Sequence, residues 1–104
     1  MAEILSIAHI RVDEGKEQET LQTLSELYLL MRRKGYRRDL LYRDVKEPSR
    51  LINLRYWKSE EMREAAHEDP GVHHLWQRLS QTSQVVSVIE KLEVIEGSWS
   101  AGAP

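Results

Sequence analysis

Two hydrophobic periods alternate along this chain, and the switches between them divide it into elements. From Glu3 to Val12 apolar residues occupy both alternating sets, Leu5 and Ile7 on one side and Ile4, Ala8 and Ile10 on the other. That pattern predicts a strand that is apolar on both faces. DEGK breaks it, and a period of 3.6 follows to about Lys34: Leu21, Leu24, Leu27, Tyr28 and Met31 recur on one stripe, with Glu17, Glu19, Gln22 and Glu26 on the wet side. Acids open this helix, Arg32, Arg33 and Lys34 close it, and Gly35 supplies a left-handed stop. Tyr36 to Val45 reads as a polar edge strand centred on Leu40, Leu41 and Tyr42, ended by the KEPSR turn. Arg50 to Trp57 is a third strand. Ser59 then caps a helix to about Glu68, Asp69 and Pro70 start a short one to about Ser80, and Val85 to Ile95 forms the last strand.

The order strand, helix, strand, strand, broken helix, strand predicts a ferredoxin-like βαββαβ domain of the α+β class with a four-stranded antiparallel sheet. The domain spans residues 1–96, and the small-residue run from 97 to 104 is expected to be a flexible tail. Its helices suffice to cover one sheet face. The first, third and last strands are nonetheless apolar on both, the last with Val85 and Ile89 set against Val86, Val88 and Leu92. An open apolar face of several hundred Å² is unusual on a monomer, so a homodimer stacked sheet on sheet is expected.

Composition narrows the partners. A chain of 104 residues with net charge −2 has no electrostatic footprint for nucleic acid or an anionic membrane. The absence of cysteine removes disulfides, thiol nucleophiles and thiolate-bound metals. The N-terminal stretch lacks the basic start and apolar run of a secretion signal, no membrane span is predicted, and a cytoplasmic location is expected. Dinucleotide, Walker, zinc-protease and nucleophile-elbow motifs are all missing. Arg37, Arg38 and Arg43, with Arg50 and Arg55 nearby, offer a carboxylate or phosphate patch, but Asp39, Asp44 and Glu47 interleave with them, and ion pairs on a solvated face are the expected outcome.

Chemistry-bearing residues are densest from Tyr56 to Trp76, YWKSEEMREAAHEDPGVHHLW. A strand ending in Trp57, a Ser-capped helix, His67 ten residues after that Trp, and a Pro-started helix bearing His73 and His74 resemble the antibiotic biosynthesis monooxygenase family. The resemblance covers about residues 3 to 95 and implies a dimeric α+β barrel. Some members of that family are cofactor-independent oxygenases of polycyclic phenols, in which an Asn and a Trp four residues apart on the third strand line the cleft. Asn53 and Trp57 match that pair, and strand geometry puts them on one face. The resemblance therefore implies a monooxygenase without cofactor, acting on a small aromatic, polycyclic or quinol-like substrate, with Asn53 and Trp57 catalytic. Tyr28, Tyr56 and the histidines His9, His67, His73 and His74 are the substrate-binding candidates. Set against this are structural roles: Trp57 as a core anchor, Asn53 as a satisfied polar residue, and His67 as a complement to its helix dipole.

Two alternatives accompany that reading. One is a non-catalytic dimeric module that binds a small apolar ligand. The other is haem binding or degradation, as in a related branch with a His ligand on the second helical region. His73 or His74 falls near that position, while His9 and Ala66 depart from the branch's pattern. No metal is expected: Glu64 and His67 share a helix face, but Pro70 turns the chain before His73.

Overall fold

The structure, a computed structural model, describes residues 3–97. Its elements are β1 (Ile4–Val12), α1 (Glu17–Arg33), β2 (Arg37–Arg43), β3 (Arg50–Trp57), α2 (Glu60–His67), α3 (Pro70–Leu79) and β4 (Ser83–Leu92). The four strands form one antiparallel sheet in the order β2-β3-β1-β4, and the helices cover one face. The ferredoxin-like α+β expectation holds. Of the expected C-terminal tail, residues 98–104 lie outside the described residues.

Local signals act where they were read. Gly35, at φ 71°, follows the C-cap Lys34, and the Tyr36 N–H donates to the Met31 carbonyl at 2.9 Å while that of Gly35 reaches Arg32 at 3.1 Å. This paired closure satisfies the last carbonyls of α1 and turns the chain into β2. Ser59 Oγ accepts from the Met62 N–H at 3.1 Å at the start of α2, and Asp69 Oδ1 accepts from Gly71 N–H at 2.8 Å at the start of α3.

Two apolar clusters fill the space between sheet and helices: Leu27, Met31, Trp57, Ala66, Val72 and Leu75 in one, Ile10, Val12, Leu24, Leu51 and Leu79 in the other. Tyr28 packs against both. The helix-facing rows of β1 and β3 are Ser6, Ala8, Ile10, Val12 and Leu51, Asn53, Arg55, Trp57; the intervening residues form the opposite face. That open face carries Leu5 and Ile7 on β1, Ile52 and Leu54 on β3, and exposed Leu40, Tyr42 and Ile89 on the edge strands.

Three sequence expectations change. β4 starts two residues earlier than Val85 and ends at Leu92. Its register with β1 shifts twice, so Val85 and Val88 both face the helices, opposite Ile10 and Ala8, while Ile89 and Leu92 lie opposite Ile7 and Leu5 on the open face. Each shift inserts one residue into β4 and inverts the alternation beyond it, which a strict period of two cannot anticipate. The arginine row is not a solvated ladder throughout either. Arg38 pairs with Glu3, Arg43 with Glu17 and Arg50 with Asp44 and Glu47 at the surface, but the Arg37–Asp39 pair, at 2.9 Å, is fully buried under α1. Odd-numbered residues of β2 share the helix-covered face whatever their charge.

Candidate functional site

The site is built on the end of β3. Trp57 is buried, and its Nε1–H donates to Ser6 Oγ at 2.9 Å; Ser6 in turn donates to the Glu90 carbonyl at 2.5 Å. These bonds tie β3, β1 and β4 together and hold the indole in one orientation. Arg37, its cross-strand partner, places its guanidinium carbon 4.7 Å from the ring centroid, a cation–π contact.

From Trp57 a file of rings runs outward along α2 and α3. His67 stacks on Trp57 at 5.9 Å, Trp76 lies 5.4 Å from His67, and His73 stacks on Trp76 at 5.8 Å. His67 Nδ1 lies 2.8 Å from the Arg63 carbonyl. A carbonyl only accepts, so a neutral His67 carries its proton on Nδ1 and keeps the Nε2 lone pair. His73 Nε2 likewise donates to the His67 carbonyl.

Between this file and β4 lies a cavity of about 470 Å³. Trp57, Trp76, Leu79, Val85 and Val88 form its apolar wall; Ser6, Arg55, Arg63, His67 and Glu90 supply its polar groups. Arg63 and Glu90 are paired at 3.4 Å, and Glu60 holds Lys91 at 2.8 Å, so ion pairs join α2 to β4 beside the cavity. An apolar, half-open cleft with a few convergent polar groups is the usual form of a small-molecule site.

Of the residues singled out in the sequence, Trp57 and His67 line this cavity. Asn53 shares the face of Trp57 but lies fully buried beside β2, away from the cavity. Its Nδ2 lies within 3.3 Å of Asp39 Oδ1 and the Leu40 and Leu54 carbonyls, and its Oδ1 accepts from Arg55 Nε at 2.9 Å. Tyr28 sits over the same polar cluster, its hydroxyl buried without a protein partner among the described residues; burial, then the Asp39 charge, pushes its phenol well above the usual range. His9 and Tyr56 are on the opposite face of the sheet. His9 cannot face another histidine across the cleft, because Ala8 and Ile10 take the helix side of β1 and alternation sends His9 the other way. Tyr56 there lies under the Arg38 guanidinium at 4.0 Å. His73 reaches the cavity only through Trp76, and His74 lies beside Glu26 on the α1 side. Sequence reasoning missed Arg55 and Ser6. Arg55 was grouped with the surface cations, and Ser6 carried no motif; their placement opposite each other in the β1–β3 register is what brings them to the cavity.

The profile of the family described as antibiotic biosynthesis monooxygenase matches residues 4–78. The chain belongs to that family. SnoaB, a cofactor-independent oxygenase from Streptomyces nogalater, superposes with a TM-score of 0.77 at 15% identity, over 93% of this chain and 100% of its own. A conserved protein from Methanosarcina mazei gives 0.74 at 18% identity, over 88% and 95%. A conserved protein of unknown function from Bacteroides thetaiotaomicron gives 0.78 at 13%, over 89% and 98%. At these identities the likeness is one of fold. No curated protein matches the chain. For this family member, Glu64, His67 and His73 do not form a metal centre: among the described residues no three His, Asp or Glu side chains gather as ligands. His73 and His74 also fall outside the cavity wall, so haem ligation through either does not fit this cleft.

Proposed function

We propose that this family member is a cytoplasmic, homodimeric, cofactor-independent monooxygenase of a small polycyclic or quinol-like phenol, bound in the cavity beside Trp57. The observation that carries this reading is the placement of His67, with its Nε2 lone pair unspent, in an aromatic wall against the Trp57 indole. In this reading the flat substrate packs along Trp57 and Trp76. His67 Nε2 takes the phenol proton, giving an electron-rich anion that reduces dioxygen directly. One oxygen atom enters the substrate as a new carbonyl. The other leaves as water with the two hydrogens the substrate has lost.

The test is oxygen uptake with a hydroxyanthrone in chelator-treated buffer. Uptake equal to substrate consumed, one labelled oxygen atom in the product, and a rate reduced about 10²-fold or more in His67→Ala are expected, the size typical of a lost general base. Uptake no faster than the protein-free blank would overturn the proposal.

One observation favours the second reading, a binding module without turnover. The Trp57 N–H is already given to Ser6 and the Asn53 amide to β2, so neither has a donor left for substrate. Tight binding of the hydroxyanthrone without uptake of oxygen would establish that alternative. Haem is tested separately: a Soret shift on haemin addition that His73→Ala or His74→Ala abolishes would support it despite their place outside the cavity wall, and an unchanged spectrum would remove it.

A further inference from the structure

Among the described residues, Arg55 is the one arginine of the cavity wall whose charge the fold leaves unanswered. Its Nε–H is given to Asn53 Oδ1, a neutral acceptor, and among the described residues it makes no ion pair. The nearby carboxylate, Asp39, is engaged by Arg37 at 2.9 Å and by the Asn53 amide. Two guanidinium groups therefore share one carboxylate beneath α1, leaving one net positive charge. Arg63, the other arginine of the wall, is already paired with Glu60 and Glu90. Burial, with the Arg37 charge adding to it, pulls the Arg55 guanidinium down to about 10, which leaves it charged at neutral pH. An unpaired guanidinium in a partly dry site is unfavourable unless an anion joins it. With Nε occupied, the two terminal nitrogens remain as a fork, the geometry that matches a carboxylate bidentately.

We propose that the cavity takes an aromatic ligand bearing a carboxylate, its rings against Trp57 and Trp76 and its carboxylate on the terminal nitrogens of Arg55. A single uncompensated charge matches a monoanion, which favours a carboxylate over a phosphate dianion. The inference rests on the reading of the cavity as an aromatic site and adds the charge of its ligand.

The test compares anthraquinone-2-carboxylate with the neutral anthraquinone-2-carboxamide, each titrated against quenching of tryptophan fluorescence at pH 7.5, roughly the neutral range in which Arg55 is charged. The carboxylate is expected to bind at least about tenfold more tightly to the wild type. Arg55→Gln is expected to abolish that preference, the two probes then binding within about twofold of each other, since the charged contact is removed. Arg55→Lys, which keeps the charge and loses the fork, is expected to reduce the preference to a few-fold, and it decides the matter if Arg55→Gln does not fold by circular dichroism. Equal binding of both probes to the wild type would overturn the anion inference alone, as would a preference undiminished in either variant. Binding of neither probe would overturn the aromatic-site reading and this inference with it.

Discussion

The Trp57 indole donates to Ser6 Oγ at 2.9 Å across the β1–β3 pair, and Ser6 passes its own proton to the Glu90 carbonyl at 2.5 Å. Ser6 lies opposite Arg55 in the register, so Trp57 is its diagonal neighbour, a separation a large aromatic side chain can bridge. The bond fixes one wall of the cavity and fastens β4 to the sheet where its register slips.

Ser6→Ala should therefore leave the buried indole N–H without a partner. A loss of about 1–3 kcal/mol in unfolding free energy is expected from urea denaturation, the cost of one unsatisfied buried donor. Trp57→Phe/Ser6→Ala should cost less than the sum of the two single changes, because the double variant leaves no orphaned donor. Strict additivity would show that the bond contributes nothing of its own.

Asp69 caps α3 and accepts from Lys34 Nζ at 2.9 Å and from the Tyr36 hydroxyl at 2.7 Å. The bonds to Lys34 and Tyr36, then to Gly71 N–H, hold its carboxyl well below the usual range. A depressed folded-state value means the stabilisation is present above the unfolded carboxylate value of about 3.9 and is lost as pH falls below it. Asp69→Ala should cost about 1 kcal/mol near neutrality from the lost cap. The gap between wild type and variant should narrow in acid; a gap constant from pH 7 to pH 2, roughly the span of carboxylate titration, would contradict this account.

Tyr28 tests the opposite end of the pH scale. Its phenol is raised, so the folded state keeps a proton that the unfolded chain gives up above about 10. Its contribution is thus held below that pH and lost as pH rises through the folded value. Tyr28→Phe removes a hydroxyl that has no partner among the described residues, so its stability at pH 8 should lie within about 1 kcal/mol of wild type. Its alkaline loss of stability, followed by circular dichroism, should be shallower. Identical alkaline profiles would refute the assignment.

The open sheet face presents Ile7, Leu54 and the exposed Leu40, Tyr42 and Ile89. A second copy stacked on it would bury this surface, so sedimentation at micromolar concentration is expected to show a dimer that Leu54→Glu converts to monomer. A wild-type monomer would exclude that assembly.

Local chemistry determined much of this protein without reference to the rest of the chain. The amphipathic stripe of α1, the left-handed stop at Gly35, the caps at Ser59 and Asp69 and the start of α3 at Pro70 depend on residues near one another in sequence, and they stand where they were read. The stretch from Tyr56 to Trp76 likewise marked the family, and Trp57 and His67 from it line the cavity. Tertiary structure decided the rest. His9 and Tyr56 fall on the far face because strand parity, not residue type, assigns a side. Two register shifts set the inward residues of β4, and a shift is a property of two strands rather than one. Arg55 read as a surface cation until strand pairing and the cover of α1 put it in the cavity wall, beside an Asp39 carboxylate already taken by Arg37. The charge an arginine presents depends on which acids reach it first, and that is settled only when distant segments meet.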